Sequence, residues 1–176
     1  MNPTEKSGEK HDLEADEKPK ISPADRTFLV VVDNSEELKA ALRFACRRVV
    51  RAGGTIALFH AVPQSEFHHF ATIGELMDQE ARTEAERLLQ QVAAEVHRQT
   101  GQFPSLYIRQ GDPLDQLLEV LDEEPAISVL VLGAGTGNEG PGLIVSALSG
   151  KLAGKIRIPV TIVPGNLSDE RIDALT

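Results

Sequence analysis

Five short apolar runs alternate with four segments of helical period, and this alternation constrains the chain more than any other feature. The runs are Thr27–Asp33 (TFLVVVD), Thr55–Val62 (TIALFHAV), Ser105–Arg109, Ser128–Leu132 and Val160–Val163. Nearly continuous apolar runs of this length predict strands buried on both faces. Between the first two, Leu38, Ala41, Leu42, Ala45, Val49 and Val50 recur at three and four, and Gly53-Gly54 stops the pattern. Asn34-Ser35 followed by Glu36-Glu37 predicts that helix's start. A long helix is predicted from Thr72, with Ile73, Leu76, Met77, Ala81, Ala85, Leu88, Leu89, Val92 and Val96 as its apolar stripe and Gly101 as its end. Asp112-Pro113 then opens a helix whose stripe is Leu114, Leu117, Leu118 and Leu121, with Asp112 as N-cap and Pro113 in the first turn. A fourth helix is predicted over 143–155. Strands alternating with helices imply parallel pairing, right-handed crossovers and helices on both faces. The expected fold class is α/β, a doubly wound five-stranded parallel sheet. Ligands of such sheets bind outside the carboxyl ends of the strands where the strand order reverses. That rule singles out Asp33, Ala61 and the Gly133–Gly142 loop.

The flanks differ from this core. Residues 1–25 hold seven acids, four lysines and few apolar side chains, the composition of a disordered acidic tail. The domain is expected over 26–165, with a C-terminal tail at 166–176. Net charge is −9, of which the tails carry −3 (residues 1–25) and −2 (residues 165–176). An acidic surface without a Lys/Arg cluster argues against nucleic acid as a partner. No apolar run approaches the ~20 residues of a membrane span. The N-terminus lacks a signal-peptide pattern, and a single cysteine, Cys46, fits a reducing compartment, so a cytoplasmic protein is expected.

The glycine loop fails two phosphate fingerprints. Gly133-Ala134-Gly135-Thr136-Gly137-Asn138 lacks the third glycine of G-x-G-x-x-G, and Glu139-Gly140-Pro141-Gly142 delays the helix. Gly150-Lys151 resembles the end of a Walker loop, but Val145 holds its first glycine position and Leu152 its hydroxyl position. Other candidates carry little chemistry. His68-His69 with Glu66 read as an exposed loop pair rather than metal ligands. His60, inside a strand, reads as a hydrogen-bonded core residue, and Cys46 as a packed, inert thiol. No G-x-S-x-G, H-E-x-x-H or C-x-x-C pattern occurs, so no enzyme is expected.

Taken together, the strand ending in Asp33 with Ser35 and its helix, Gly111-Asp112-Pro113, Val129–Gly133 and Pro159–Val163 resemble the universal stress protein family over residues 27–164. The resemblance implies a flavodoxin-like or Rossmann-like nucleotide-binding fold, a homodimer paired through the last strand, Val160–Val163, and a regulatory or stress-response role. It also implies a nucleotide site in which Asp33 contacts adenine and Ala61 and Leu132 line the adenine pocket. ATP-binding members carry G-2x-G-9x-G-S/T after the fourth strand. Counted from Gly133, those positions hold Thr136, Ser146 and Ala147, so only the first glycine is kept. The literal match Gly137-2x-Gly140-9x-Gly150 is displaced by four residues and followed by Lys151. Replacing the hydroxyl at Ala147 removes a charged-acceptor hydrogen bond worth roughly 1.5–3 kcal/mol. Ser146 and Ser149 offer hydroxyls from new positions. The resemblance therefore implies a non-catalytic regulatory module with no certain cofactor. An adenine-nucleotide sensor is the alternative, with ATP as an open candidate.

Overall fold

The computed structural model describes residues 22, 25–64, 71–150 and 152–176. The acidic stretch up to residue 21, Glu66, His68, His69 and Lys151 lie outside the described residues. The order of elements is β1 (Thr27–Val31), α1 (Leu38–Ala52), β2 (Thr55–Val62), α2 (Ala71–Thr100), β3 (Ser105–Gln110), α3 (Pro113–Glu123), β4 (Ile127–Ala134), α4 (Leu143–Ser149), β5 (Val160–Pro164) and α5 (Asp169–Leu175). The five strands form one sheet in the order β3-β2-β1-β4-β5, and every pair is parallel. The expected doubly wound α/β fold is the observed one.

The period-two geometry of the strands divides the core into two layers. Phe28, Val30, Val32, Ile56 and Leu58 point to one face and pack with Ala41, Ala45, Val49, Leu89 and Val96 of α1 and α2. Leu29, Ala57, Phe59, Leu130 and Leu132 point to the other and pack with Leu117, Val120, Leu121, Val145 and Leu148 of α3 and α4. Both faces of the middle strands are therefore covered, which is why those runs are apolar without alternation.

Local chemistry sets the element boundaries. Asp112 caps α3 by accepting from the backbone N–H of Leu114 at 2.9 Å and of Asp115 at 3.1 Å. Helix α1 begins differently from expectation. Its N-cap is Glu37, which makes no side-chain capping bond. Ser35 turns back instead, donating its backbone N–H and its hydroxyl to Asp33 Oδ1 at 3.0 and 2.5 Å. Helix α4 stops at Ser149 rather than 155, and at Gly150 the backbone leaves the helical region. Helix α2 runs for 30 residues, about 45 Å at helical rise, and outreaches the strands beside it. Its stripe is buried at Ala85, Leu89, Val92 and Val96, while Leu76 and Met77 are exposed. Val50 of α1 is exposed as well.

The C-terminal stretch 166–176, expected to be a tail, contains α5. Ser168 caps it by accepting from Arg171 N–H, and Ile172 is fully buried against the α1 layer. Arg43 donates to both Asp173 carboxylate oxygens, and Arg47 Nε donates to Oδ1 at 3.0 Å. Those arginines thus serve the docking of α5.

Candidate functional site

The strand order reverses between β1, which leads on to β2, and β4, which leads on to β5. At the carboxyl ends of these strands lies an open cleft of about 560 Å³. That size falls within the roughly 300–1,000 Å³ of small-molecule pockets. Its floor is apolar, formed by Val31, Phe59, Ala61 and Leu132. One wall is the turn after β1 with Asp33, Ser35 and Glu37. The opposite wall is the loop from Gly133 to Leu143.

Of the residues singled out from the sequence, Asp33, Ala61, Leu132 and Gly133 border this cleft. Thr136, Ser146, Ala147 and Ser149 do not. Thr136 is exposed in the loop, Ser146 and Ser149 are exposed on α4, and Ala147 is half-buried there. Asp33 is held by Ser35 through Oδ1, which leaves Oδ2 toward other partners. His60 also borders the cleft, and its Nδ1 lies 2.7 Å from the carbonyl oxygen of Val32. A carbonyl only accepts, so Nδ1 carries the proton and Nε2 of the neutral ring is an acceptor.

Two glycines bring Glu37 against the loop. A Cβ on Gly133 would lie 2.8 Å from the backbone oxygen of Glu37. A Cβ on Gly135 would lie 2.8 Å from Glu37 Oε1 and 2.5 Å from the backbone oxygen of Gly140. Only residues without a side chain allow this approach. Sequence reasoning took Glu37 as a first-turn acid and passed over Glu139, which lies on the loop side of the cleft. Among the described lining residues there are three carboxylates, Asp33, Glu37 and Glu139, and neither Lys nor Arg. At the rim, Leu143 keeps 90% of its surface exposed.

Cys46 is fully buried in the α1 layer, and burial together with the Glu95 charge pushes its thiol up to about 12. A thiol so protonated is a poor nucleophile. No group of three His, Cys, Asp or Glu side chains suited to a metal occurs among the described residues. No described helix is long and apolar enough to cross a membrane.

The universal stress protein family matches the chain over residues 26–164. The chain belongs to the universal stress protein family. A comparison with curated proteins returned no match. Solved structures of universal stress proteins share the fold. UspA from Lactobacillus plantarum is 19% identical with a TM-score of 0.67, over 78% of this chain and 97% of that one. A universal stress protein family protein from Arabidopsis thaliana, solved with AMP bound, is 20% identical with a TM-score of 0.58, over 82% and 94%. The universal stress protein from Archaeoglobus fulgidus in complex with dAMP is 17% identical with a TM-score of 0.53, over 78% and 97%. In this universal stress protein domain, the family match ends at Pro164, so α5 is an addition beyond it.

Proposed function

We propose that this universal stress protein is a cytoplasmic, non-catalytic regulatory module that binds an adenine-containing small molecule in the cleft between β1 and β4. The observation that carries the reading is the cleft itself, an apolar floor at the strand-order reversal with Asp33 on one wall and a glycine loop on the other. AMP and dAMP in the Arabidopsis and Archaeoglobus relatives supply the adenine. The side-chain arrangement supports binding without turnover. Ser35 donates its hydroxyl to Asp33 rather than to His60, so no Ser–His nucleophile–base pair is made. The altered positions Thr136, Ser146 and Ala147 weigh against a tight triphosphate cradle.

Isothermal calorimetry of the full chain with adenosine, AMP and Mg-ATP tests the reading. At least one of them binds with Kd below about 100 micromolar, and Asp33→Ala weakens that binding at least tenfold. Binding by none of the three, or binding indifferent to Asp33→Ala, removes the adenine reading.

We further propose a homodimer through β5. Among the described residues this strand pairs only with β4, and Ile162 on it is 40% exposed. An apolar sheet edge of this kind favours covering by a second strand.

A further inference from the structure

We infer that the cleft selects an adenine nucleoside without phosphate over its phosphorylated forms; this rests on the adenine reading above and narrows it. In a phosphate-binding α/β domain, the loop after the strand offers backbone N–H groups and room for an anion. Here the loop is bordered by a carboxylate of the protein's own, Glu37. The chain around Glu37 is pressed on the loop from two sides, by Gly135 and by Gly165, where a Cβ would lie 2.5 Å from Glu37 Cγ. Its Oε1 stands next to Gly135, 2.8 Å from where a Cβ there would lie. Glu139 adds a second negative charge on the loop side, and Asp33 a third on the opposite wall. No Lys or Arg among the described lining residues offsets them. Helix α4 has only seven residues, so its dipole offers little compensation.

The same inventory suits an uncharged ligand rich in hydrogen-bond donors. Asp33 Oδ2 and His60 Nε2 are acceptors, matched by an exocyclic amine and ribose hydroxyls. Val31, Phe59, Ala61 and Leu132 supply a flat apolar floor for a purine. Leu143, exposed at the rim, would be covered by a ligand lying across it. Electrostatics then decides between nucleoside and nucleotide, because a phosphate monoester brings about two negative charges, and Mg-ATP a similar net charge, toward three carboxylates.

The test is calorimetry of the full chain with adenosine, AMP and Mg-ATP at fixed ionic strength, repeated on the double variant Glu37→Gln/Glu139→Gln. Adenosine binds at least tenfold more tightly than either nucleotide, and the double variant narrows that preference at least fivefold. Both side chains lie at the cleft surface, and circular dichroism with thermal melting confirms that the variant is folded. A preference below tenfold, or one that the variant narrows less than fivefold, overturns the inference while leaving the adenine site standing. Absence of binding by all three ligands overturns the adenine site and this inference together.

Discussion

Arg43 and Asp173 lie 130 residues apart in sequence, and the guanidinium of one meets the carboxylate of the other at two points, Nε to Oδ1 at 3.1 Å and Nη2 to Oδ2 at 2.8 Å. Asp169 adds a further contact to Arg43 at 3.3 Å. This fork ties α5 to α1 and secures the buried Ile172 beneath it.

The pair makes the docking of α5 dependent on pH. Hydrogen bonding from Arg43 holds the Asp173 carboxyl below the usual aspartate range. A carboxyl lowered in the folded state stabilises it above the ordinary value of about 3.9, and that stabilisation disappears as pH falls through the folded value. Asp173→Asn therefore lowers Tm at pH 7, and its difference from the parent chain shrinks once pH drops below about 4. Melting curves of both proteins from pH 7 to pH 2 measure this. A difference constant across the range contradicts the ion-pair account.

Cys46 should be silent toward thiol reagents in the folded protein. With the thiol pushed up to about 12 and its side chain fully buried, neither thiolate nor access is available at pH 8. A chromogenic disulfide reagent reads less than a tenth of one thiol per chain in buffer and one per chain in guanidinium. Fast reaction in buffer would place Cys46 in a locally opening part of α1.

The glycine loop makes a contrast between neighbours. Gly135→Ala puts a Cβ 2.5 Å from the Gly140 carbonyl oxygen, a backbone atom that yields only if the loop shifts. A loss of about 1–3 kcal/mol is expected from such overpacking. Gly137→Ala meets nothing within 4 Å and stays within about 0.5 kcal/mol of the parent. Denaturant titration of the two variants resolves the difference. Equal stabilities would mean that the loop is too loosely held to form a cleft wall.

The β5 edge carries the assembly prediction. Size exclusion with light scattering at micromolar protein returns twice the chain mass for the parent and the chain mass for Ile162→Lys. A charge at the centre of the strand makes the exposed edge unsuitable for pairing. A monomeric parent chain at that concentration excludes the proposed dimer.

The middle strands were legible because β1, β2 and β4 are covered on both faces and so spell nearly continuous apolar runs, as in Leu29-Val30 and Leu130-Val131. Asp112-Pro113 announced α3 through chemistry local to the turn. Periodicity failed where a helix outreaches its sheet. Leu76 and Met77 keep the helical period of α2 without a partner layer to bury them. Helix α5 was hidden because one buried residue, Ile172, anchors a seven-residue helix, too short for a period to show. Its signal was the cap, Ser168 with Asp169 and Glu170 in the first turn. For the cleft, Asp33 and Gly133 were visible at strand ends. Glu37 was not, because its place depends on Gly133, Gly135 and Gly165, all remote in sequence.

The strand at the centre of the sheet is the first to be made. β1 pairs with β2 on one side and with β4 on the other, so Phe28 waits for Val129 before its second ladder can close. On a ribosome, the early chain holds β1, α1 and β2 with one flank of the central strand unpaired and apolar. Until β4 has emerged, that flank is the point at which another nascent chain or a holding chaperone can attach, and its closure also completes the cleft.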